Sequence, residues 1–349
     1  MADFESTNLF EQQDANRRRT RWLVIAFVVF FAWLGFGGDW ILWELTRGAP
    51  PNAYRHAVPW FGLALTAVAA LIAAYAWKSG PSSVLWSAGA REIETPGGET
   101  ETRLVNVVEE MSIAAGLPRP RIWVIADSDP NAFATGLDAE HAHLAVTEGL
   151  LLTCNRDELQ AVIAHELGHV KNLDVRLMTL LAALVGAVAL MSDGMGRLLR
   201  GGVRFGAVTG GRSRGKRDKD LGPLVVVLLA LWLLSWLIAP FVTRLLALGV
   251  SRKREFLADA MSAQFTRNPL ALASALEKIE RADAPTASIK RGSAHLCIAD
   301  PLGRQSSLHE GKVADWFGTH PPMAIRVARL KAMGYQQRKQ LGQAIEATA

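Results

Sequence analysis

The sequence predicts a mainly helical α+β fold with a small β-sheet, tied to a membrane by hydrophobic segments. Three observations lead there. A polar HExxH pentad sits inside an amphipathic helical pattern, short β-branched runs precede it, and four long stretches carry no charge. These stretches are residues 22–38, 57–77, 177–192 and 224–243, of 17, 21, 16 and 20 residues. A bilayer-spanning helix needs about 20 apolar residues. The second and fourth stretches meet that length, the first meets it once residues 41–45 extend it, and the third is short.

Taken in order, residues 1–21 form a tail ending in Arg17, Arg18, Arg19 and Arg21, the basic flank expected on the cytoplasmic side. The first apolar stretch follows, with Trp22, Trp33, Trp40 and Trp43 as interfacial anchors. No small-residue cleavage site follows it, so it stays attached. Residues 78–98 are rich in Ser, Gly and Pro and read as the exit from the membrane into a soluble region. A helix is expected over 99–115, where Leu104, Val107, Val108, Met111 and Ile113 recur at helical spacing and Gly116-Leu117-Pro118 stops the run. Strands are expected at 121–126, 131–136 and 141–147, the last two joined by a polar turn. His141 and His143 alternate on one strand face and read as surface or turn positions, since nothing nearby completes a second metal site.

The motif helix comes next. Asn155 and Glu158 have the spacing of a capping box, which places the helix start near Arg156. Leu159, Ile163, Leu167 and Val170 then recur at three- and four-residue steps around His165, Glu166 and His169. At about 100° per residue the two histidines lie roughly 40° apart and can share one ion, while Glu166 projects about 60° to the side. A carboxylate there can reach a water on that ion without replacing a ligand. Gly168 would cost about 1 kcal/mol in mid-helix relative to Ala, so something is expected to pack closely against it.

Composition narrows the classes. The net charge of +5 resides largely in the basic flanks and in an Arg-rich loop, and it suits lipid head groups rather than nucleic acid, for which no motif is visible. Cys154 and Cys297 have neither metal-site spacing nor the density of a disulfide scaffold. Residues 251–265, SRKREFLADAMSAQF, read as a helix leaving the membrane with Glu255 and Asp259 four apart on one face. By themselves these two would be an ordinary solvated face.

Together with His165-Glu166-x-x-His169, the Glu255-x-x-Ala258-Asp259 pattern resembles the gluzincin group, specifically the HtpX-type membrane zinc endopeptidases related to the CAAX prenyl proteases. PNAFATG at 130–136, THPP at 319–322 and the order of the four apolar segments extend the resemblance from the first span to Leu330. A metzincin would need Gly at 172 and His at 175, where this chain has Asn172 and Val175.

The resemblance implies a mainly helical membrane-anchored metallopeptidase binding one Zn2+ through His165, His169 and Glu255. Glu166 would act as general base and Asp259 would orient a ligand histidine. Asn131 and Ala132, on an edge strand with free backbone groups, would face an extended substrate, and His320 and Arg326 would contact its carbonyl or oxyanion. The domains implied are a cytoplasmic tail (1–21), a two-span anchor (22–77), a first catalytic half (78–176), a hydrophobic hairpin (177–246) with a basic loop (193–223), and a second catalytic half (247–349). Polypeptide substrates are expected, misfolded or damaged membrane proteins among them, with the lipid bilayer as the other partner and a quality-control role at the cell inner membrane.

Two other classes compete. A zinc-binding scaffold or chaperone without turnover would keep the ligands but has no need of Glu166. A transporter would need polar residues at mid-membrane, and the second to fourth segments offer few. Because Glu255 follows the third and fourth segments while the histidines precede them, the intervening chain must cross the membrane an even number of times. Either both segments span, or both dip in and return; the basic flanks put the site in the cytoplasm in each case.

Overall fold

The computed structural model describes residues 9–48, 50–186, 252–282, 296–299 and 321–348, with 232, 234, 286, 288 and 289. Most of the fourth apolar segment, the basic loop and His320 lie outside the described residues. The chain forms two compact units, one of residues 1–21, 77–183 and 246–349 and one of residues 22–76 and 184–245.

The second unit takes residues 22–46 of helix α1 (Leu9–Thr46) and residues 60–76 of helix α2 (Trp60–Ser87), which supply the membrane segments. Both are long and apolar enough to cross a bilayer, and only 22% of each apolar window is buried. Leu63, Val68 and Leu71 are exposed on α2. A core helix of a soluble protein would bury such residues, whereas a helix hydrophobic all round faces lipid. Phe31 and Leu34 of α1 pack on Ala69 of α2.

At the far end of this pair the buried Asp39 of α1 acts as a cap for α2. Its carboxylate accepts hydrogen bonds from the Phe61 and Gly62 backbone N–H groups, and His56 Nε2 lies 2.7 Å from it. The first turn of a helix has no internal partners for its N–H groups, so one acidic side chain both satisfies α2 and joins it to α1.

Residues 78–98, expected as the exit from the membrane, are helical in their first half, because α2 continues through Pro81 to Ser87. The serines that suggest a loop bond back to the helix: Ser83 Oγ donates to Ser79 O and Ser87 Oγ to Val84 O. The tail is also more ordered than expected, since α1 begins at Leu9 and carries the arginine run on a helix.

The first unit holds a four-stranded sheet of order β1-β2-β4-β3, from β1 (Arg91–Glu92), β2 (Arg121–Ile125), β3 (Ala132–Gly136) and β4 (Ala142–Thr147). β2 and β4 run parallel, with Ile122 opposite Leu144, while β3 pairs antiparallel to β4 as its hairpin partner. The three longer strands match their sequence patterns within one residue; the two-residue β1 is too short to show periodicity. Helix α3 (Glu99–Ala115) ends at Gly116 as expected, and α4 (Glu148–Thr153) leads into α5 (Arg156–Lys171). After it come α6 (Arg252–Thr266), α7 (Pro269–Glu280) and α8 (Met323–Thr348). The core is where Leu159, Val162 and Leu167 of α5 meet Leu104 and Val108 of α3 and Leu272 and Leu276 of α7.

Replacing Asp39 by alanine should strand the first N–H groups of α2 and destabilise the protein by about 1–2 kcal/mol, as loss of a helix cap does. Thermal unfolding of the detergent-solubilised full chain should show a lowered midpoint for Asp39→Ala and a smaller drop for Asp39→Asn; equal midpoints for all three would remove Asp39 from this role.

Candidate metal centre

The site is built where α5 and α6 cross. Both halves of the capping box are present: Glu158 N donates to Asn155 Oδ1 and Asn155 N to Glu158 Oε2, each at 2.9 Å. This starts α5 at Arg156 and puts His165, Glu166 and His169 well inside it, all buried. On α6 the residues Glu255, Ala258, Asp259 and Ser262 recur at helical spacing and share one face. That face meets α5 almost backbone to backbone. A Cβ on Gly168 would lie 3.3 Å from Ala258 Cα, and Ser262 Oγ donates to Ala161 O at 2.6 Å. Close packing is therefore why the helix tolerates Gly168.

This crossing brings His165, His169 and Glu255 together, with one donor atom from each inside 4.8 Å of the others. His165 Nε2 is 3.7 Å from Glu255 Oε2, and His169 Nε2 is 3.5 Å from Oε1. Ligands at zinc distances of about 2.0–2.1 Å in a tetrahedron stand about 3.4 Å apart, so the donors fit one such ion with little movement. The two rings are perpendicular, with centroids 4.9 Å apart.

Each imidazole has a carboxylate behind it. Asp259 Oδ1 lies 3.0 Å from His165 Nδ1, and Arg326 grips Asp259 with Nε and Nη2 at 2.9 and 2.7 Å. His169 Nδ1 meets Asp174 Oδ2 at 3.3 Å, a partner that sequence reasoning missed. Asp174 follows the end of α5, and a turn with Leu173 at φ 58° folds it back onto the histidine. Asn16 of α1 then donates from Nδ2 to Asp174 Oδ1 at 2.7 Å and to Asn172 O at 2.9 Å. Only the acidic residue so near the motif hinted at this; Asn16 gave no signal.

The electrostatics favour positive charge at the centre. Burial alone would lower the His165 pKa, but Asp259 and Glu255 reverse this and lift it to about 9. Burial pushes the Glu166 carboxyl up from its ordinary value, against the opposing pull of His165 and His169. Glu166 Oε2 accepts from Ala134 N at 2.8 Å, while the buried Oε1 has no hydrogen-bond partner among the described residues.

The other expected residues lie as follows. Asn131 is fully buried, and its Nδ2 donates to Thr286 Oγ1 and Ala299 O while Oδ1 accepts from Ala132 N. Ala132 O accepts from Ile298 N at 2.9 Å. β3 is the edge strand, but the expectation of free backbone groups there fails, because residues 296–299, remote in sequence, lie on it at Phe133 and Cys297. Arg326 is wholly buried, donates to Ile298 O, and has Nη2 3.4 Å from His165 Nε2. His141 is exposed beside Asp138, and the half-buried His143 accepts from Trp123 Nε1, so the two do not meet at one site. Cys154 and Cys297 are both buried.

A family profile described as peptidase family M48 matches residues 99–334. A protease HtpX homolog of Thermoanaerobacter pseudethanolicus is 37% identical over 93% of this chain and 98% of the relative. Another, of Dictyoglomus turgidum, is 42% identical over 74% of this chain and 78% of the relative. The crystal structure of S. mikatae Ste24p matches with a TM-score of 0.42 and 17% identity, covering 88% of this chain and 66% of that one, a likeness too distant to carry an argument.

The geometry ranks substitutions by their effect on metal retention. Glu255→Ala, which deletes a donor atom, should weaken retention more than Asp259→Asn or Asp174→Asn, each expected to cost about 10- to 100-fold through the orientation of an imidazole. Chelator competition on the purified variants reads the order directly, and an Asp259 variant weaker than the Glu255 variant would exchange their parts.

Proposed function

This chain belongs to peptidase family M48, and from that premise we propose that it hydrolyses peptide bonds with a zinc ion held by His165, His169 and Glu255 and with Glu166 as general base. It is a membrane metalloprotease of the HtpX type. The observation that carries the assignment is the convergence of three donor atoms within 4.8 Å beside a buried carboxylate oxygen that has no hydrogen-bond partner among the described residues. Zinc held by two neutral imidazoles and a carboxylate lowers the pKa of a bound water toward about 7 and polarises a carbonyl.

The chain's own residues do the rest. Glu166 Oε1 takes the proton of the attacking water and returns it to the leaving amine, and no covalent intermediate forms. Burial makes this carboxylate a stronger base than an exposed one, and the Ala134 N–H holds its other oxygen in place. Asp259 and Asp174 fix which imidazole nitrogen is free, each by facing Nδ1. Arg326 is tied to Asp259 and lies close to His165, where its charge stabilises negative charge that develops on a carbonyl oxygen. Asn131 and Ala132 hold the start of β3 against residues 296–299, so they act on the site by fixing this strand rather than by touching substrate.

The substrates proposed are polypeptides, misfolded or damaged membrane proteins among them, because the same chain carries two helices long and apolar enough to cross a bilayer. We place the site in the cytoplasm, on the support of the arginines ahead of the first span and of Arg252, Lys253 and Arg254 after the fourth segment. A non-catalytic zinc scaffold is the rival, and a buried base beside the donors weighs against it, since a scaffold gains nothing from that burial.

Glu166→Gln should retain about one metal ion per chain and lose proteolysis of an unfolded model protein by several orders of magnitude, on the order of what loss of a general base removes. Metal analysis and the cleavage assay together decide it: residual activity near that of the unaltered protein would sink Glu166 as the base. For topology, Ile113→Cys puts a thiol at an exposed position of the catalytic unit. In intact cells an impermeant maleimide should leave it unlabelled until the membrane is opened; labelling before that would move the site to the other side.

A further inference from the structure

The first unit contains a second cluster of chemistry that the peptidase reading does not use. Arg17, Arg18 and Arg21 of α1, together with Arg176, Trp77 and Asp14, line an open cleft of about 480 Å³. Among the described residues none of the four arginines forms an ion pair. The Arg176 guanidinium stacks over the Trp77 ring at 4.7 Å, and its Nε is buried with no hydrogen-bond partner. Burial holds Arg176 below the ordinary arginine value, an effect that Asp138 opposes and the like charge of Arg17 adds to.

The cleft is built rather than accidental. The opposite side of the same helical stretch is docked: Gln13 Nε2 donates to Lys171 O, Asn16 is bonded to Asn172 and Asp174, and Asn16 and Thr20 are buried. Arg17, Arg18 and Arg21 therefore point away from a fixed face. Asp14 offsets one of the four positive charges that line the cleft; the excess like charges repel each other unless a further anion lies between them, and guanidinium groups pair bidentately with phosphate.

Its position selects the source of that anion. Arg21 immediately precedes Trp22, where the first apolar stretch begins, and Trp77 is the last residue of the second. The cleft wall thus consists of the residues at which two membrane segments leave the bilayer, the level of phospholipid phosphates and of interfacial tryptophan. We propose that this cleft binds the headgroup phosphate of an anionic phospholipid between Arg17, Arg18, Arg21 and Arg176, with Trp77 at the glycerol level. The proposal rests on the membrane anchoring and is independent of the catalytic assignment.

The test uses the full chain in a neutral detergent, titrated with phosphatidylglycerol, phosphatidylcholine or inorganic phosphate, with retained lipid read by native mass spectrometry. Phosphatidylglycerol should be retained in preference to phosphatidylcholine, and Arg17→Gln/Arg176→Gln should weaken it by about 30-fold, the effect of two surface arginines on an anionic headgroup. Arg119→Gln/Arg338→Gln, which removes two exposed arginines elsewhere, should leave the preference intact. Equal retention of the two lipids by the unaltered protein would overturn the proposal, and that measurement needs no variant to fold. So would an equal loss in both double variants, which would make the effect one of net charge. Displacement of the lipid by millimolar inorganic phosphate would overturn the headgroup as the source.

Discussion

The constraint on which the first unit depends is the burial of four carboxylates around two imidazoles. Glu166, Glu255, Asp259 and Asp174 are all nearly inaccessible, and Arg326 and Arg254 are the guanidinium groups buried with them. Carboxylates cannot be left uncompensated in a dry interior, where they either pair or take up protons. The two guanidinium groups offset part of this charge, and the remainder favours a cation among the donors His165, His169 and Glu255.

The centre is also tied to the first turns of α1 by short polar links. Asn16 holds Asp174, Asp174 faces His169, and Asn16 belongs to the helix that continues as the first apolar stretch. Two residues past Asp174 stands Arg176, in the wall of the basic cleft. One turn of chain after the HExxH helix therefore serves both places. The turn at residues 172–173 and the Asp174 that follows it set the orientation of one proposed ligand.

Much of this was legible in the sequence, and the parts that were not have a common cause. The capping box, the pentad and the Glu255/Asp259 spacing are local patterns on single helices, and local patterns survive folding when each agrees with its neighbours. α2 was misjudged at 78–87 because Ser, Gly and Pro favour loops only while no helix is available to accept their hydroxyls. Asp174 and Asn16 could not be paired from sequence, because 158 residues separate them and the turn that joins them depends on one positive φ at Leu173. The covering of β3 by residues 296–299 is likewise a long-range contact, and it replaced an expected free edge.

Glu166 shows why such long-range contacts matter to chemistry. A buried carboxylate with no partner would be so weak an acid that it would hold its proton and be useless as a base; one with every lone pair satisfied would be too weak a base to act. This side chain lies between those limits. Burial raises its pKa, the imidazoles and the Ala134 N–H pull it down, and the hydrogen bond engages one oxygen only. The Ala134 N–H comes from the edge strand, and its position follows from the β3–β4 register, which sets Ala134 opposite Leu144. A slip of one residue would turn that N–H to the other side. The small sheet, which supplies none of the proposed metal ligands, thereby sets the direction of the proposed base.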